Sequence, residues 1–167
     1  MRETGISNEA VVDIRVPLKY NRASESYLEW IHIEVGNLGY KRTWRTQTIR
    51  GASIQVRIGD QLHYMEFATE DAPKEKCDLR RGEYRFVPVV VRATKPTVLY
   101  GLLLEPYICY VTDKPFLDGR INEAKLKVTP CLMKVIIHRD DNNDEVVRYF
   151  TLTIPVRDPI SLVPYSI

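Results

Sequence analysis

With 167 residues, 44% of them hydrophobic and 28% charged, the chain has the make-up of an ordinary globular protein, with enough length for one well-buried core and too little for two comfortable domains. Its 24 basic and 22 acidic residues leave a net charge of +2, without the basic excess of a dedicated nucleic-acid binder. The most apolar run, residues 98–104, is far too short to cross a bilayer.

The hydrophobic pattern alternates with a period of two almost throughout, which is the mark of half-buried strands. In residues 10–20, Val12, Ile14, Val16 and Leu18 share one face, while Asp13, Arg15 and Lys19 share the other. Pro17 has no amide donor, so this strand lies at a sheet edge or ends there. The next stretch, YLEWIHIEVGNLGY (27–40), sets Ile31, Ile33 and Val35 against Trp30, His32 and Glu34. It stops at Gly36-Asn37-Leu38-Gly39, residues that enter positive φ cheaply and let the chain turn or bulge. A phosphate-cradling loop would open a helix, and no helical pattern follows.

Residues 53–58 and 62–67 flank Gly59-Asp60 and read as a hairpin. Residues 69–81 are polar, charged and interrupted by Pro73, the pattern of a long loop. Strand character returns over 83–93, is punctuated by Lys95-Pro96-Thr97, and continues through 98–111. A turn region with Pro115 and Asp118-Gly119 precedes strands at 124–128 and 132–138. Residues 135–138 and 146–154 form the last hairpin, around a turn of Asp140, Asp141, Asn142, Asn143 and Asp144. Pro155 and Pro159 then end regular pairing. The pattern predicts an all-β chain: one antiparallel sandwich of eight to nine strands over residues 1–158, with residues 159–167 as an extended C-terminal tail.

Two segments carry a resemblance. Residues 31–39 and 79–86 resemble prokaryotic immunoglobulin-like accessory domains, the CARDB group of cell-adhesion-related modules. Val35, Asn37 and Gly39 match the Val-x-Asn-x-Gly strand end of that group, and Gly82 and Tyr84 its Gly-x-Tyr strand start. The closing hairpin is similar as well. The resemblance implies an immunoglobulin-like sandwich with a non-enzymatic role, although residues 94–130 run longer than the pattern and leave the strand order open.

Candidate sites are few. Tyr40, Lys41, Arg42, Trp44, Arg45 and Arg50 bring cations and stacking rings together, as single-stranded nucleic acid requires. The competing reading packs Trp44 on the core edge with the cations in solvent, and the near-neutral net charge favours it. His32, His63 and His138 lack metal-ligand spacing, so neither a metal nor another cofactor is expected. The acidic turn offers oxygen atoms to calcium but lacks EF-hand spacing, and reads better as a solvated hairpin tip. None of the six serines sits in a nucleophile elbow, and no carboxylate pair has the apolar setting of an acid–base couple, so no enzyme is expected.

Cys77, Cys109 and Cys131 form no C-x-x-C pair and read as reduced thiols, with one disulfide plus a free thiol as the alternative. Together with an N-terminal stretch of mixed charge and no apolar segment, they lead to the expectation of a cytoplasmic protein. Ten tyrosines and two tryptophans suit a protein interface and a sheet face equally. The function expected is that of a non-catalytic interaction or accessory module, meeting a partner protein or a second copy. The alternatives are a nucleic-acid-binding β-domain using residues 40–50, and a carbohydrate-binding or hydrolytic sandwich.

Overall fold

A computed structural model describes residues 11–17, 27–39, 48–99, 101–112, 125–126 and 130–165. Among them lie thirteen strands and no helix. The first five are β1 (Val12–Arg15), β2 (Leu28–Asn37), β3 (Ile49–Ile58), β4 (Gln61–Tyr64) and β5 (Lys76–Leu79). Then come β6 (Tyr84–Ala93), β7 (Thr97–Leu99), β8 (Leu102–Leu104), β9 (Cys109–Val111) and β10 (Lys125–Leu126). β11 (Cys131–Arg139), β12 (Asn142–Thr153) and β13 (Ser161–Tyr165) complete the set.

All ladders between these strands are antiparallel. A five-stranded sheet runs β1-β2-β6-β9-β10; a six-stranded sheet runs β13-β12-β11-β3-β4, with β5 also on β3; β7 and β8 form a separate hairpin. The two large sheets are stacked as a sandwich, because one buried cluster draws on both. Ile31, Ile33 and Val35 of β2 enter it from one side, and Ile54, Val56, Met133, Val135 and Ile137 from the other. The register explains this: Ile54 faces Ile137 and Val56 faces Val135, so same-parity residues on β3 and β11 all point inward.

β6 departs from strict alternation at Pro88. Ile31 pairs with Val90 and His32 with Pro88, which leaves Val89 as an extra residue. A bulge of this kind admits a proline within a central strand and resets which face the following residues occupy. Val89 and Val90 therefore both reach the main core, while Val91 turns to the opposite face.

The two segments singled out by the resemblance meet in space. Asn37 is buried; its Nδ2 donates to the Leu79 carbonyl (3.1 Å) and its Oδ1 accepts from the Gly39 amide (3.0 Å). Its backbone N–H donates to Glu83 (3.1 Å) and its carbonyl accepts from Gly82 (2.8 Å). Gly36, one residue earlier, has no room for a Cβ, since the Tyr84 ring and the Glu83 carbonyl occupy that space.

Several expectations change. Residues 98–111 do not form one strand but break into β7, β8 and β9, with positive φ at Gly101 and Tyr107. Within the expected loop 69–81, β5 pairs with β3 and buries Leu79. The last turn is tighter than five residues, since Arg139 already pairs with Asn142. Residues 161–165 are extended and pair along β12 as an edge strand.

That edge is held from inside. Glu29 on β2 and Arg92 on β6 form a buried ion pair, with side chains 4% and 3% exposed. Arg92 also donates to the carbonyls of Pro155 and Asp158, the latter at 2.7 Å, and Glu29 accepts from the Ile160 amide at 2.8 Å. One charge pair of the five-stranded sheet thus anchors the connection that leads into β13 of the other sheet.

Candidate functional site

On the face of the five-stranded sheet turned away from the sandwich core, β2 presents Leu28, Trp30, His32 and Glu34. Across the ladder β6 sets Ala93, Val91, Pro88 and Phe86 beside them. This face has three zones along the strands.

At one end the β7–β8 hairpin lies over the sheet. Leu104 is buried there with Val91, Ala93 and Tyr110, and Leu28, Trp30, Leu99 and Leu102 pack around them. The opposite side of the hairpin carries Val98 and Leu103, directly paired across the two strands and 64% and 68% exposed.

In the middle, aromatic rings form a row. Trp30 and His32 stack with centroids 6.2 Å apart, and His32 meets Phe86 edge-on at 6.0 Å. Phe86 is 42% exposed. Burial lowers the pKa of His32 from its ordinary 6.5, so the imidazole is neutral at pH 7 and behaves as a third aromatic ring.

The far end is polar. Arg15 of β1 pairs with Glu34 at 2.7 Å and lies 3.6 Å over the Tyr84 ring. The Tyr84 hydroxyl donates to Asp13 at 2.8 Å; burial first, and then this bond, raise its pKa. The face can therefore bury apolar surface, stack rings and align a charged rim.

Of the residues singled out as a nucleic-acid contact, Tyr40, Lys41, Arg42, Trp44 and Arg45 lie outside the described residues. Arg50 is exposed on β3, and its Nη1 is 3.2 Å from Asp78 Oδ2. It belongs to a charge cluster around Gly51, where the strand bulges with φ +58. The Gly51 amide donates to Asp78 (2.9 Å), Arg139 grips Asp141 through Nε (2.7 Å) and Nη2 (3.0 Å), and Lys76 reaches Asp140 (3.1 Å). The Gly51 amide, then Arg50, hold Asp78 below the usual carboxylate range, and the Arg139 fork does the same for Asp141. The acidic hairpin tip thus spends Asp140 and Asp141 on cations of the chain itself.

The three histidines are not brought together. His32 is on the outer face of one sheet, His63 is buried on β4, and His138 on β11 lies 3.5 Å from Glu145. Among the described residues no group of three His, Cys, Asp or Glu side chains is placed to hold a metal ion. The three cysteines form no disulfide. Burial pushes the Cys77 thiol up to about 11 and Cys109 to about 12. No helix among the described residues is long and apolar enough to cross a membrane.

Sequence reasoning passed over the Glu29–Arg92 pair, though a signal exists. Glu29 has the same parity as Ile31, Ile33 and Val35, so its carboxylate sits in the inward-facing series. The covering hairpin left no comparable sign. No protein-family model, curated protein or solved structure matches this chain.

Proposed function

We propose that the chain is a non-catalytic, immunoglobulin-like interaction module that meets a protein partner through the outer side of its five-stranded sheet. The observation that carries this reading is the β7–β8 hairpin. It places Val98 and Leu103 opposite one another in solvent, on the side of the sheet that also exposes Phe86. Large apolar side chains held out on a rigid ladder characterise association surfaces, and the Trp30–His32–Phe86 row adds rings that lose little conformational entropy on binding. The Arg15–Glu34 pair and Tyr84 would form the polar rim. An immunoglobulin-like arrangement is supported by the Asn37–Gly82 junction, where the two segments of the resemblance bond to one another.

Two measurements test this. Sedimentation of the purified chain across a concentration series, wild type against Val98→Lys/Leu103→Lys, reads self-association. Photo-crosslinkers at positions 86, 98 and 103, with position 163 on the other sheet as control, read partners in a cell extract. A second copy predicts concentration-dependent sedimentation abolished by the double substitution. A different partner predicts protein adducts concentrated at the three outer-face positions. Monomeric sedimentation with equal cross-linking at all four positions would defeat the proposal.

A further inference from the structure

The six-stranded sheet has an outer face as well, on the opposite side of the sandwich from the protein-binding surface proposed above. Val56, Val135, Phe150 and Leu162 point into the core, so residues of the opposite parity on these strands face out. The register aligns five outward residues in one row across the sheet: Leu62 of β4, Arg57 of β3, Lys134 of β11, Tyr149 of β12 and Tyr165 of β13.

Arg57 and Lys134 are thus direct cross-strand neighbours of like charge, an arrangement that works against the sheet unless an anion relieves it. Among the described residues no carboxylate does so. Asp60 lies in the β3–β4 turn and Glu145 beside His138, and neither pairs with Arg57 or Lys134. The rows on either side, from Tyr64 to Val147 and from Leu132 to Val163, carry no acidic side chain. Arg15, Arg50 and Arg92 each hold a carboxylate of the chain, whereas these two cations stay open to a ligand.

The rest of the row says which anion fits. Lys134 Nζ lies 5.9 Å from the centroid of the Tyr149 ring, and Tyr149 is directly opposed by Tyr165, which is 49% exposed. Tyr64, in the neighbouring row, is 53% exposed. Cations that meet phosphates, set beside rings that stack on bases, are what single-stranded nucleic acid requires of a sheet. An acidic peptide would use the cations and leave the rings idle. A duplex fits poorly, since its major groove admits a two-stranded ribbon rather than the broad face of a larger sheet.

We propose that this face binds single-stranded nucleic acid, with Arg57 and Lys134 neutralising two phosphates and Tyr149 and Tyr165 stacking on bases. The net charge of +2 adds no long-range attraction, so binding rests on these contacts.

Fluorescence anisotropy with short labelled oligo(dT) and oligo(rU) tests this, at about 50 and 200 mM salt. At least one probe should bind saturably and more weakly as salt rises, and the tighter one identifies the sugar. Arg57→Gln/Lys134→Gln should lower affinity about tenfold or more and reduce the slope of log affinity against log salt by about 1.4, the share of two phosphates on a single strand. Tyr165→Leu, at an exposed ring, should lower affinity about fivefold or more and leave that slope unchanged. Urea unfolding checks that the variants stay folded. If the double variant does not, Arg57→Gln alone replaces it, with a slope change of about 0.7. Three results overturn the proposal. Neither probe binds; or poly-glutamate competes as well as the oligonucleotides, which makes the face a site for an acidic protein; or binding survives Arg57→Gln/Lys134→Gln and falls with Lys41→Gln/Arg42→Gln, which moves the contact to residues 40–50.

Discussion

Two charge clusters tie the sandwich together at different depths, and they teach different things about ion pairs. Glu29 and Arg92 are dehydrated, and each bonds both to the other and to the backbone of residues 155–160. The Gly51 cluster joins β3, β5 and the β11–β12 turn with Arg50, Lys76, Arg139 and three aspartates, yet Arg50, Asp78, Lys76 and Asp140 are each more than half exposed. Inside, removing one partner strands a charge that water cannot reach. Outside, water and salt replace the partners of Arg50, Asp78, Lys76 and Asp140 at once; the Arg139–Asp141 pair of this cluster is better shielded, with side chains 7% and 27% exposed. The two clusters contain similar bonds and should have very different energetic weight.

The sharpest way to break the comparison is Arg92→Met. It leaves the Glu29 carboxylate buried without its cation and frees the carbonyls of Pro155 and Asp158, so it should destabilise the protein by about 3–5 kcal/mol in urea unfolding. Replacing both members, Glu29→Leu/Arg92→Met, should recover much of that loss, because no lone charge remains. Hydrogen exchange adds a local readout: amides of 161–165 should lose protection before those of β11 and β12, since the pair anchors the connection into β13. A loss under about 1 kcal/mol for Arg92→Met would place this pair in the same class as the exposed one.

In the exposed cluster the largest effect comes from the backbone rather than from charge. Gly51→Ala puts a side chain at φ +58 and drives its Cβ into the Asp140 carboxylate. The left-handed conformation alone costs about 1–2 kcal/mol, and displacing the hairpin tip adds to it. Gly59→Ala is the matched control: its φ is +60, but nothing lies within 4 Å of the added Cβ. Thermal or urea unfolding should rank Gly51→Ala as the more harmful; equal losses would show that the aspartate simply swings aside.

The same contrast marks what could be read from the chain itself. The inward series of β2 and the β3–β4 hairpin were legible, because one face is apolar and the other polar, and Gly59-Asp60 marks the turn. So was the strand end at Asn37, whose side chain and backbone close the junction to Gly82. Residues 98–111 were not, because β9 is buried on both faces: Cys109 and Val111 enter the main core and Tyr110 the outer cluster. Double-sided burial erases the alternation that marks where strands break. β5 was hidden for the opposite reason, being four residues long and mostly polar. Of the outer face, the parity of Trp30 and His32 was readable, but the hairpin that covers one end of it is a tertiary event with no local signature.

Substitution of single charges in the Gly51 cluster should have smaller consequences. Arg50→Ala removes the contact to Asp78 and leaves both the Gly51 amide bond and water in place, so a loss below about 1 kcal/mol is expected, shrinking further in 0.5 M salt. A loss that exceeds this and persists in salt would mean that the cluster acts as one unit.

Acid should separate the outer face from this cluster. The His32 imidazole is held below its ordinary 6.5, so the unfolded chain takes up that proton first, and stability declines as pH falls below about 6.5 toward the lowered folded value. Asp78 and Asp141 are held below their ordinary 3.8; their contribution is complete above that value and lost only as pH falls further, through the depressed folded values. Unfolding free energy measured from pH 7 to 3 should therefore fall in two stages. His32→Phe should flatten the first while leaving the second, because phenylalanine keeps a ring beside Trp30 and Phe86 and carries no proton. A first stage that survives His32→Phe would move its origin away from the aromatic row.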